Sequence, residues 1–168
     1  MQILGSLLLV SAGILAAGQR IADLYSRQQT LMVFSSALRR GAAELETNLT
    51  PTGELMDLLS EQNDRRVSAF FSHIHAGMEQ QGPQTFYTLW KEAVAECDAL
   101  KPVERAMLSS LGAMIGQYCS ADICSEMVRC ADCFQLEGEN LRRQFPEQTR
   151  LSLGIGVTVG AIAAILLI

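Results

Sequence analysis

From Leu151 to Ile168 the chain runs through eighteen residues without a charge, Leu-Ser-Leu-Gly-Ile-Gly-Val-Thr-Val-Gly-Ala-Ile-Ala-Ala-Ile-Leu-Leu-Ile. As a helix this stretch rises about 27 Å, close to the roughly 30 Å hydrocarbon thickness of a bilayer. A buried helix of a soluble domain rarely stays apolar on every face for so long. Ten of its residues are Leu, Ile or Val. At about −0.3 to −0.6 kcal/mol each they favour insertion by roughly 3–6 kcal/mol, less the Gly and Ser penalties. The stretch is expected to span a membrane and to end the chain inside it or just beyond.

A second uncharged run, Ile3 to Gly18, lies at the other end, with Arg20 able to snorkel beside it. A cleaved signal peptide is the competing reading. It usually needs a basic n-region, and only the α-amino group is available, so a retained helix is expected. Every Lys, Arg, Asp and Glu falls between Arg20 and Arg150, and the net charge of −5 argues against a nucleic-acid partner. Arg20, Arg27, Arg39 and Arg40 follow the first run; Arg142, Arg143 and Arg150 precede the second. The positive-inside rule then puts everything between the runs in the cytoplasm. The expected organisation is a transmembrane helix over 1–19, a cytoplasmic helical domain over 20–150 and a transmembrane helix over 151–168.

The middle reads as all helix. From Ala22 to about Leu49 there is no proline, so a long helix can continue out of the first span. Thr50-Pro51 ends it and opens the next, with Thr50 as N-cap and Pro51 at the first helical position. That helix is expected to reach about Glu61. Val67, Phe70, Phe71, Ile74 and Met78 recur at helical spacing, and Gly82-Pro83 breaks the run. Phe86, Leu89, Trp90, Ala93, Val94 and Cys97 form a second stripe. Pro102 starts a helix with Val103, Ala106, Met107, Leu111, Met114 and Ile115 inward. In the last helix Ile123, Met127, Cys130, Phe134 and Leu141 share a face. Phe145-Pro146 is expected to kink that helix before the second span.

Candidate chemistry is sparse. Cys97, Cys119, Cys124, Cys130 and Cys133 include a Cys-x-x-Cys, which raises zinc or redox chemistry. Cys119 and Cys130 differ by about 20° around a helix, however, which puts both on the core stripe. Buried free cysteine packs as a small hydrophobe. His73 and His75 point to nearly opposite helix faces and are not expected to share a metal. Asp57 and Glu61, one turn apart, fit a solvated face. Asn48-Leu49-Thr50 matches the glycosylation pattern, which has no meaning for a cytoplasmic domain. The glycines at 154, 156 and 160 do not match a dinucleotide fingerprint. Gly156 with Gly160, extended by Ala163 and Ala164, and Gly13 with Ala17 instead give smooth strips for packing one membrane helix on another. No catalytic residue, cofactor, metal ligand or small-molecule substrate is expected.

Several pieces in fixed order resemble a known family. They are the N-terminal apolar run leading into Glu44-Leu45 and Thr50-Pro51, then Thr85-Phe86-Tyr87-Thr88-Leu89-Trp90-Lys91-Glu92-Ala93. Leu108-Ser109-Ser110-Leu111-Gly112-Ala113-Met114-Ile115-Gly116 follows, and Leu151-Ser152-Leu153-Gly154 opens the last span. The set resembles the stage III sporulation protein AB family over nearly the whole length. The resemblance implies an all-α, membrane-anchored bundle similar to type II secretion F-type platform domains, in the mother-cell membrane around the forespore. It implies as partners a cytosolic secretion-type ATPase, stage III sporulation protein AA, and other membrane proteins of the channel between mother cell and forespore.

The expected function is a non-enzymatic platform that couples the ATPase to the channel. Arg39, Arg40 and Glu44 are expected to make partner contacts at the membrane-proximal end. The alternative is a metal- or redox-responsive sensor using the cysteine cluster, which departs from the family pattern. Whether Cys119, Cys124, Cys130 and Cys133 bind metal, and whether Pro146 kinks the last helix, are questions for the structure.

Overall fold

A computed structural model describes residues 2–80, 84–115 and 121–143, with side chains in the first helix from residue 18 onward except at residue 20. Six helices occur among the described residues, and no strand. They are α1 (Gln2–Asn48), α2 (Thr52–Ser60), α3 (Arg65–Glu79), α4 (Phe86–Glu96), α5 (Pro102–Ile115) and α6, helical over 121–143. The chain divides into two compact units, Met1–Gln28 with Glu139–Ile168, and Gln29–Gly138.

Of the first unit, the described part is helical: the start of α1 and residues 139–143 of α6. No helix among the described residues is long and apolar enough to cross a membrane. The side chains of residues 2–17 and the whole of 144–168 lie outside that description. Both expected spans, and the expected kink at Pro146, therefore fall there.

In the second unit α6 runs antiparallel beside α1. Phe34 meets Phe134 with ring centroids 5.8 Å apart. Arg39 reaches Asp132, and the Cys124 thiol donates to the Ala42 carbonyl at 3.4 Å. Gly41 lets the helices close up, since a Cβ there would stand 2.6 Å from Met127 Cε and 3.2 Å from Leu59 Cδ1. The aromatic rings extend the core inward. Phe34 packs edge-on to Phe70 at 5.4 Å, and Phe70 packs edge-on to Trp90 at 5.2 Å. Each such pair contributes about 0.5–1.5 kcal/mol beyond its buried area. Trp90 is fully buried, and its Nε1–H donates to the Leu108 carbonyl at 2.6 Å. The line from Phe134 to Trp90 thus ties α6, α1, α3, α4 and α5 together.

Helix starts follow from local chemistry. Asp64 caps α3 by accepting from the backbone N–H groups of Arg66 at 2.9 Å and Val67 at 3.2 Å. Its other oxygen accepts from the fully buried Thr30 hydroxyl at 3.0 Å, which joins this cap to α1. Thr85 caps α4 through Thr88 N. Glu104, third residue of α5, reaches back to accept from Lys101 N at 2.6 Å, half of a capping box, and this explains a buried glutamate.

Two expectations are corrected. The N-cap of α2 is Pro51, without a side-chain cap, and the helix opens at Thr52 rather than at the proline. Thr50 therefore lies outside it. The inward face of α5 is Glu104, Leu108, Leu111 and Gly112, while Val103 is 72 % exposed and Ala106 is also exposed. The cause is Trp90, which lies against Gly112 and the Leu108 backbone and turns the helix to bring its small residue inward. The stripes of α3 and α4 are buried as their spacing predicts, apart from half-buried Met78 and Phe86.

Candidate functional site

The three residues expected to contact a partner sit near the C-terminal end of α1, where their side chains do different things. Arg39 Nη2 donates to Asp132 Oδ1 and, at 3.0 Å, to Gln135 Oε1, so its guanidinium clasps α6. Arg40 is exposed, and Glu44 accepts from Asn48 Nδ2 one turn on at 2.7 Å.

Gly13 and Ala17 lie in α1 among the residues whose side chains are not described, and Gly156 and Gly160 lie outside the described residues altogether.

Among the described residues the cysteines do not gather into one metal-holding cluster. Cys97 and Cys130 are buried, Cys124 and Cys133 are half-buried, and these four are free; Cys119 lies outside the described residues. Burial pushes the Cys130 thiol up to about 12, helped by Cys133 and Glu126 nearby. Burial also raises Cys97 and Cys124. Burial thus favours the protonated thiol at Cys97, Cys124 and Cys130, whereas metal binding and redox attack use the thiolate. Among the described residues, no group of three or more His, Cys, Asp or Glu side chains is placed to hold a metal ion. The two histidines face apart as their spacing predicts. His73 lies between Glu92 and Glu96 of α4, while His75 Nδ1 meets the Gly53 carbonyl of α2 at 3.2 Å. Asp57 lies on an exposed face, with its carboxylate 3.9 Å from His75 Nε2.

One feature of this end escaped the sequence. Leu45, Glu46 and Leu49 of α1 and its exit face Cys124, Ser125 and Val128 of α6 across an open groove of about 520 Å³. Leu49 closes α1 in the left-handed region at φ 50° and is 72 % exposed. Bulky residues adopt that conformation at a cost of roughly 1–2 kcal/mol, and glycine is usual there. An exposed leucine directly after an asparagine carries no periodic signal, so only the backbone reveals it.

A family model described as stage III sporulation protein AB matches residues 2–168. No curated protein and no solved structure matches the chain.

Proposed function

The chain belongs to the stage III sporulation protein AB family, and from that membership, which places its role in sporulation, we propose that it is a non-enzymatic membrane platform. In this reading the uncharged runs at 1–19 and 151–168 are transmembrane helices. The helical unit between them is a bundle of the type II secretion F kind, held at the cytoplasmic face of the mother-cell membrane around the forespore. A cytosolic secretion-type ATPase docks on it and is coupled to the channel.

The observation that carries the reading is α1. A single helix of 47 residues starts in the first uncharged run and continues to Asn48, inside the compact unit that begins at Gln29. A helix transmits displacement along its axis far better than a loop, because each turn is hydrogen-bonded to the next. The aromatic line on Phe34 then joins that rod to four other helices. Arg40, exposed beside the Arg39 clasp, is the cleaner of the two arginines for partner contact.

The test is co-purification of the full chain with the sporulation ATPase from membranes, with and without nucleotide. Retention of the ATPase that changes with nucleotide is the expected result. An ATPase that never enters the purified fraction, in either condition, overturns the coupling role.

A further inference from the structure

We propose that the groove between the C-terminal end of α1 and the N-terminal end of α6 is a docking seat for a cationic amphipathic helix of a partner protein. Its walls are Ala42, Leu45, Glu46 and Leu49 on one side and Cys124 and Val128 on the other. The polar groups of its floor are already used, since the Cys124 thiol donates to Ala42 O and the Ser125 hydroxyl donates to Asp122 O. An occupant must therefore be apolar where it touches.

The length and charge of the groove choose among apolar occupants. Residues 42–49 make about two helical turns, roughly 10 Å, which matches side chains at i, i+3 or i+4, and i+7 of a docked helix. Leu49 and Val128 stand exposed at its mouth although both are apolar. Leu49 also holds a left-handed backbone there, and strain of this kind clusters at binding sites. Glu46 lies on the wall, close enough to Cys124 to raise its thiol. It has no ion pair among the described residues, whereas Glu126 nearby is neutralised by Arg129. An uncompensated carboxylate beside an apolar groove repels anionic lipid headgroups and attracts a lysine or arginine flanking an apolar stripe.

The inference deepens the platform reading by giving its partner a chemistry, and rests on it for the existence of a protein partner. The probe is a labelled synthetic helix of leucine and lysine with leucines at i, i+3, i+4 and i+7, added to the full chain in detergent. A second peptide carries glutamate in place of every lysine. The lysine peptide should bind at least tenfold tighter than the glutamate peptide and should shield Cys124 from maleimide. Leu49→Asp and Val128→Asp should each weaken it at least tenfold with helix content unchanged, because both side chains are on the surface. Glu46→Lys should reverse the preference between the two peptides.

Equal binding of both peptides, or full Cys124 labelling at saturation, overturns the proposal. So does self-association of the chain that Val128→Asp abolishes, which would make a second copy the occupant. Peptide binding with no ATPase in the membrane preparations would overturn the coupling role and leave the groove standing.

Discussion

Gly53 and Gly112 are both helical glycines, and they differ in what a methyl group would meet. At Gly112 the added carbon runs into the ring of buried Trp90, whereas at Gly53 the nearest atom is Met78 Cε at 4.0 Å. Gly112→Ala should therefore destabilise the fold by about 1–3 kcal/mol through overpacking. Gly53→Ala should be neutral or stabilise it by up to about 1 kcal/mol through lower unfolded-state entropy. Urea unfolding of the two variants beside the parent checks both signs. Cys130 offers a test by pH. Its folded-state thiol is pushed up to about 12, above the ordinary cysteine value of about 8.5. The native state thus keeps a proton that the unfolded chain gives up. The associated stability is complete below the ordinary value and is lost as pH rises towards about 12, at up to about 1.4 kcal/mol per pH unit. Cys130→Ala should flatten that part of the decline, and an unchanged slope would show that the thiol titrates normally in the fold.

Among the elements, α3 and α4 were legible because their apolar residues recur at a single helical period, while their caps, Asp64 and Thr85, emerged only with the structure. The face of α5 was not legible. Val103, Ala106 and Met107 look as suitable for burial as Leu108 and Gly112, and the choice is made by Trp90, a residue of another helix. The same limit hid the groove, which exists only once α6 returns along α1. It also hid the role of Arg39, because a basic residue in a long helix gives no sign of an acid about ninety residues later. That clasp has a measurable consequence. Arg39→Asp alone should cost up to about 1 kcal/mol, as should Asp132→Arg, while the double variant should recover most of the loss. Strict additivity in a double-mutant cycle would mean that the pair contributes nothing. At the α3 start, Asp64→Ala removes the cap and strips buried Thr30 of a partner, and should cost about 1–3 kcal/mol in the same assay.

For the whole molecule, the uncharged ends and the charge-bearing middle make opposite demands on solvent, and the proposed platform answers both by setting the ends in a membrane. The bundle of Gln29–Gly138 supplies a packed body; in the proposed reading α1 carries motion to it and the groove at the C-terminal end of α1 seats a partner. Each of these matters to coupling only if the body lies on the side of the membrane where the ATPase works. The decisive measurement is protease digestion of the full chain in intact protoplasts and in inverted membrane vesicles, after a carbonate wash that strips peripheral proteins. A membrane platform facing the cytoplasm stays in the washed membranes and loses its middle region in inverted vesicles alone. Release by carbonate, or digestion in intact protoplasts, contradicts it.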